Sequence, residues 1–160
     1  MTETAKQLSE IELGWEPLPE ALTGLTGFML FWVTKLAGGF YAQAVATAGL
    51  EPQQVATLQL LTTDGPTVQA RLAERLRINK ATMVGVMDAL EAQGLVERRP
   101  YAGDRRALEV HPTEAGRSRA EVLERVNREA DRIFFGALTD DERRTFHALL
   151  AKLATSRGAK

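Results

Sequence analysis

Asn79-Lys80-Ala81-Thr82-Met83-Val84-Gly85-Val86-Met87-Asp88-Ala89-Leu90-Glu91-Ala92-Gln93-Gly94, followed at once by Leu95-Val96-Glu97-Arg98-Arg99, is where the residue period of this chain changes. In the first part Met83, Val86, Met87 and Leu90 fall at i, i+3, i+4 and i+7, the spacing of one buried helix face. Asn79 offers a side-chain oxygen to the open amides of a first turn, and Gly94 supplies the left-handed stop. Beyond Gly94 the pattern is extended. A strand is predicted over Leu95–Arg99, a turn over Pro100–Asp104 and a second strand over Ala107–His111, with Leu108 and Val110 on one side. A capped helix thus feeds a short hairpin.

Working outward, Asp64-Gly65-Pro66 reads as a turn. Thr67 is expected to cap a short helix carrying Leu72, Ala73 and Leu76 and closed by Ile78. Two short helices joined by a tight turn make a helix-turn-helix. Upstream, Pro52 suits a first helical position, and Val55, Leu58 and Leu61 mark one face. A first helix is expected from near Glu20 to about Thr47, ended by Gly49. Its segment Phe28–Val33 is apolar on nearly every face and needs cover on more than one side, which implies a subunit interface. Gly38 and Gly39 cost this helix roughly 1 kcal/mol each relative to Ala, and close helix packing is the favoured reason for them.

Downstream, Thr113 is expected to cap a long helix with Ala120, Leu123, Val126, Ala130, Ile133 and Phe134 on one stripe. Thr139 and Glu142 form a capping box for a last helix bearing Phe146, Leu149, Leu150 and Leu153. The architecture is therefore mainly α with a small β-hairpin wing: a winged helix-turn-helix flanked by N- and C-terminal dimerisation helices. Residues 1–19 are an acidic leader expected to fray, closed by Pro17 and Pro19. Residues 20–48 form the N-terminal dimerisation helix, 49–112 the winged helix-turn-helix and 113–160 the C-terminal dimerisation helices.

Bulk properties bound the function. At 160 residues, 44% hydrophobic and 26% charged, the chain can bury one good core. With no cysteine there is no disulfide framework, thiolate metal site or oxidisable sensor thiol, and the cytoplasm is the unforced location. Only His111 and His147 offer imidazoles, so no metal or other cofactor is expected. The most apolar run, Leu22–Val33, falls short of the ~20 residues that cross a bilayer, so no membrane partner is expected. The start of the chain carries Glu3, Glu10, Glu12, Glu16 and Glu20 against one Lys6, unlike a secretory signal.

Formal net charge is only −1, so a nucleic-acid partner must be argued from local placement. Between Arg71 and Arg106 lie eight basic residues (Arg71, Arg75, Arg77, Lys80, Arg98, Arg99, Arg105, Arg106) and five acidic ones (Glu74, Asp88, Glu91, Glu97, Asp104), a surplus of +3. Positive charge is thus concentrated on the helix-turn-helix and the wing, as a phosphate-binding footprint requires.

Three blocks sharpen the reading: Gly94-Leu95-Val96-Glu97-Arg98-Arg99, Asp104-Arg105-Arg106 and Thr113-Glu114-Ala115-Gly116. In order and spacing they resemble the wing of the multiple-antibiotic-resistance regulator (MarR) family, and the resemblance spans about Leu22 to Leu153. Pro112 departs from the family's usual Leu and is expected to stiffen entry into the long helix. The resemblance implies a homodimer that binds double-stranded DNA at a pseudo-palindromic site, acts as a repressor and responds to a small-molecule effector. It implies that Asp104 and Arg106 link across the hairpin tip, and that Arg105 or Arg106 reaches the minor groove. Arg98 and Arg99 become phosphate contacts or wing scaffolding.

On the fourth helix the outward residues Ala81, Thr82, Val84, Gly85 and Asp88, with Asn79 and Lys80 at the tip, are mostly small. They suit close approach to base edges and thymine methyls better than long-armed guanine readout. For the effector, the family's crevice between dimer helices and DNA-binding part implies Trp32, Phe40, Tyr41 and Leu58 as liners, although core packing or dimer contact accounts for each equally. Two other classes compete. An enzyme lacks a nucleophile or paired carboxylates at a catalytic spacing to His111 or His147. A winged-helix assembly module would differ from a regulator in lacking salt-dependent binding to duplex DNA.

Overall fold

The computed structural model of the chain describes residues 3–11 and 18–156, with the backbone alone at 3, 4, 105 and 106. Among these described residues, eight helices and three strands follow in the order α1 (Glu3–Ser9), α2 (Glu20–Thr23), α3 (Thr26–Ala46), α4 (Pro52–Asp64), β1 (Thr67–Val68), α5 (Gln69–Leu76), α6 (Lys80–Ala92), β2 (Val96–Tyr101), β3 (Asp104–Pro112), α7 (Glu114–Phe134) and α8 (Asp140–Ser156). The strands form one antiparallel sheet in the order β1-β3-β2. Among the described residues no helix is long and apolar enough to cross a membrane.

The helix ends follow their capping chemistry. Asn79 Oδ1 accepts the Thr82 amide at 2.8 Å and starts α6. Thr113 Oγ1 accepts the Gly116 amide at 3.0 Å and starts α7. The Thr139 amide donates to Glu142 Oε2 at 2.8 Å, and the Glu142 amide returns the bond to Thr139 Oγ1 at 3.3 Å. Gly94 takes φ +68°, the left-handed geometry that costs other residues about 1 kcal/mol or more.

The blocks quoted from the wing meet in space. The Thr113 hydroxyl donates to the Gly94 carbonyl at 2.7 Å, and the Thr113 amide donates to the Leu95 carbonyl at 3.1 Å. Gly116 comes so close that a Cβ there would lie 2.0 Å from the Leu95 carbonyl oxygen. A helix stop, a strand start and the first turn of α7 are thereby knotted together, which is why these residue types are needed 19 positions apart.

Four expectations need correction. The helix expected from Glu20 breaks at Gly24–Leu25 into α2 and α3. Thr67 caps no helix: it pairs with Val110 as β1, and α5 starts behind Val68 without a side-chain cap. The hairpin turn is tighter than expected, because Tyr101 already pairs with Asp104. The leader is not frayed throughout, since α1 packs on α7 with Ala5 and Leu8 buried. Its apolar residues sit at i and i+3, too few for a sequence pattern, and only the docking surface explains their burial. Pro17 lies outside the described residues.

Two cores result. The larger gathers Leu58, Leu61, Leu72, Met83, Met87, Leu90, Val96, Val110 and Leu123 beneath the helix-turn-helix and sheet. The smaller gathers Leu8, Phe40, Ala44, Val126 and Ala130 between α1, α3 and α7. Pro112 is buried opposite Val96 at the end of β3, beyond the residues that β1 pairs, so its missing amide leaves the three-stranded part of the ladder intact.

Candidate nucleic-acid interface

The helix-turn-helix turn is made by Arg77 at φ 54°, with the Ile78 amide bonded to the Ala73 carbonyl at 2.9 Å. That geometry sends α6 off α5 with Met83, Val86, Met87 and Leu90 inward. Lys80, Ala81, Val84, Gly85 and Asp88 are outward and exposed, and Thr82 is half-buried. A Cβ at Gly85 would meet nothing within 4 Å, so nothing inside the chain requires a glycine there. The outward face is therefore small and solvent-facing, as expected.

The basic residues divide by how they are engaged. Arg75 pairs with Asp64 at 2.5 Å, away from the recognition face. Arg99 is paired with Glu97, its neighbour but one on the strand, and is well exposed. Arg71, Arg77 and Lys80 are exposed and carry no ion pair among the described residues. Arg98 is the exception: it is turned inward onto α6, where Asp88 and Glu91 receive it at 2.7 and 2.5 Å. The hydrogen bonds from the Arg98 guanidinium, then that from its backbone amide, hold the Glu91 carboxyl below its usual range. Of the two sequence readings of Arg98, the geometry fits scaffolding. The backbone of Arg105 and Arg106 lies in β3 next to Asp104, but the expected Asp104–Arg106 link falls on a side chain outside those described.

The residues expected to line an effector crevice are not gathered around one cavity. Leu58 is fully buried in the larger core and Phe40 lies in the smaller one. Tyr41 packs edge-on to Phe40 and donates its hydroxyl to Asp131. Its pKa is raised by burial first and by that carboxylate second. Trp32 stacks on Phe28 farther up α3. The physical reason is packing: Leu58 lies against the start of α7 near Gly116, whereas Phe40 and Tyr41 pack on Phe134 at its far end. A recess of about 360 Å³ does open beside the recognition helix, lined by Gln69, Lys80, Met83, Val84 and Leu108 among others. Leu108, on the same side of β3 as Val110 in the sequence pattern, is exposed at this recess while Val110 is buried.

The face thus combines a capped helix with small outward side chains, unpaired cations at its N-terminal end, and a hairpin projecting beside it. The MarR family model matches residues 50–108, from the start of α4 into β3. The chain is 32% identical to a crystal structure titled "probable transcriptional regulator" from Pseudomonas aeruginosa, with TM-score 0.72 over 82% of this chain and 98% of that one. It is 29% identical to the HTH-type transcriptional repressor NicR of Pseudomonas putida, over 86% of this chain and 87% of the relative. It is also similar to the Mycobacterium tuberculosis MarR family protein Rv2887, solved in complex with DNA, at 28% identity and TM-score 0.71, over 80% of this chain and 96% of that one. Fold, wing motif and relatives agree, and the chain belongs to the MarR family of winged helix-turn-helix transcription regulators.

Proposed function

We propose that the chain acts as a homodimeric repressor that reads a pseudo-palindromic duplex site in the cytoplasm. The observation that carries the DNA reading is the outward face of α6, small and exposed beside the wing, within a segment of surplus positive charge. Ala81, Thr82 and Val84 approach base edges, with Gly85 allowing the close contact. Asn79 and Lys80 hold the helix end against the backbone, Arg99 contacts phosphate, and Arg105 or Arg106 enters the minor groove, steadied by Asp104. The family's DNA-bound relative and repressor relative support the same assignment.

Dimerisation is supported by apolar surface that the chain does not cover itself. Among the described residues α8 buries none, leaving Leu149 and Leu153 54% and 59% exposed, while Leu25 just before α3 and Phe31 within it are 55% and 59% exposed. A two-fold interface would bury both sets. Release of the duplex by a small ligand extends the proposal on the strength of the family resemblance. A screen of aromatic acids against the protein–duplex complex, read by fluorescence anisotropy, checks that part.

Selection of bound sequences from a random duplex pool tests the whole reading. The expected product is an inverted repeat with half-site centres roughly 10 base pairs apart. Thr82 and Val84 replacements should change the preferred bases without changing that spacing. Single motifs with no preferred spacing would reject the dimeric reader in favour of an assembly module with incidental DNA affinity.

A further inference from the structure

We propose that Arg98 is a positioning residue for sequence discrimination, clamping the wing to the recognition helix through Asp88 and Glu91 without touching DNA itself. The inference rests on the DNA-reading role of α6 and the wing.

Asp88 and Glu91 lie three residues apart and so on one face of α6. Arg98 reaches them from β2. Its Nη2 donates to Asp88 Oδ1 at 2.7 Å and to Glu91 Oε2 at 2.5 Å, and its Nε donates to the same Glu91 oxygen at 3.0 Å. Its backbone amide donates to the other oxygen, Glu91 Oε1, at 3.3 Å. One carboxylate therefore grips both the main chain and the guanidinium of a single strand residue. A lone surface ion pair fixes little, because two long side chains remain free to separate. A planar guanidinium shared by two carboxylates, with a main-chain bond to one of them, restrains direction as well as distance. The Arg98 side chain is 22% exposed, against 57% for its neighbour Arg99.

The clamp also sits at a mechanically sensitive place. Arg98 is opposite Val110 in β3, and Val110 is opposite Thr67 in β1, so the clamped row crosses the whole sheet. β1 ends one row nearer the tip, where Val68 pairs with Glu109 opposite Arg99, and beyond that only β2 and β3 continue. Tyr101 lies three residues, hence ~10 Å, beyond Arg98. A small rotation of β2 at Arg98 is magnified at the tip, and the spacing between wing and α6 determines whether both can engage one site. Arg98 Nε and Nη2 already serve these carboxylates, so a phosphate could be offered only Nη1 unless the clamp opened and left two negative charges beside DNA.

The test uses the full chain, the selected operator duplex and a scrambled duplex of equal length, with affinities measured across a salt series. Arg98→Lys keeps the charge and loses the planar fork; Arg98→Gln loses both; the triple variant D88N/E91Q/R98Q also removes the acids. All three should lower the operator-to-scrambled affinity ratio about tenfold, the scale of one lost base-pair contact. Arg98→Lys should keep the wild-type salt slope. A slope lowered by about one in Arg98→Gln, with both duplexes weakened equally, would overturn the clamp and make Arg98 a phosphate contact. Wild-type discrimination in Arg98→Lys, or its recovery in the triple variant, would overturn it in favour of simple charge balance. If Arg98→Gln does not fold, Arg98→Lys carries the test. Wild-type protein that cannot tell the two duplexes apart would overturn the DNA-reading role and the clamp together.

Discussion

The winged helix-turn-helix and the helices flanking it treat apolar residues in opposite ways. Between Val45 and Leu123 most large aliphatic side chains close on one another, with Leu58, Leu61, Leu72, Met87, Leu90, Val110 and Leu123 at 0% exposure. In α8 the same residue type is left in the open, and Leu153 is 59% exposed. The boundary runs through α3, whose Phe40, Ala44 and Val45 are buried while Met29, Leu30 and Phe31 are not. The larger core is completed within one chain, with Val45 of α3 and Ala120 and Leu123 of α7 closing it, whereas α8 and the first half of α3 present apolar surface that the chain does not cover. Equal hydrophobicity in sequence therefore marks two different fates, cover within the chain and, in the proposed dimer, cover by a second copy.

The comparison can be broken most severely at α8. Leu149→Asp with Leu153→Asp should turn a dimer at micromolar concentration into a monomer by sedimentation. The amides of α6 and β3 should stay protected from hydrogen exchange. A double variant that remains dimeric would remove α8 from the interface, and loss of protection in α6 would show that the two regions are not independent. Within the self-contained core, Leu90→Ala should cost about 2–5 kcal/mol in denaturant unfolding, with no electrostatic part to be rescued by salt. A loss well under 1 kcal/mol would mean the site collapses freely and the region is less tightly packed than its burial indicates.

Smaller effects probe the seam between the regions. Gly116→Ala places a Cβ against the Leu95 carbonyl and should destabilise by about 1–3 kcal/mol, because the obstacle is backbone rather than a movable side chain. A neutral Gly116→Ala would show that α7 can slide on the wing. Smallest is Asn79→Ala, which removes the cap of α6 and should cost about 1 kcal/mol in thermal or denaturant unfolding. Asn79→Ser should recover most of it, and failure to do so would point to a role beyond capping.

Local signals proved readable where a few neighbouring residues decide the outcome. Asn79, Thr113 and Thr139 cap as expected because a cap is closed within three residues. The buried face of α6 follows from helix period alone. Thr67 misled because its hydroxyl suits a cap equally well, and only the arrival of Val110 from 43 residues downstream makes it a strand. The four residues suggested for an effector crevice pose a similar difficulty. Trp32, Phe40, Tyr41 and Leu58 look alike as apolar residues, yet Leu58 enters the larger core, Phe40 and Tyr41 the smaller one, and Trp32 stacks on Phe28, and no local pattern separates them.

By itself the sequence determined the helices from α4 onward and the wing, the caps at Asn79, Thr113 and Thr139, the outward face of the recognition helix and the placement of positive charge, since these depend on periodicity and on contacts between near neighbours. Only the tertiary structure decided that Leu8 folds back onto α7, that Gly116 must be small to pass the Leu95 carbonyl, and that Arg98 turns inward to Asp88 and Glu91. Each of those depends on a distance between segments that the chain brings together after its local elements have formed. An arginine in a basic run looks the same whether it will meet a phosphate or a carboxylate; the orientation of β2 against α6 settles which one it can reach.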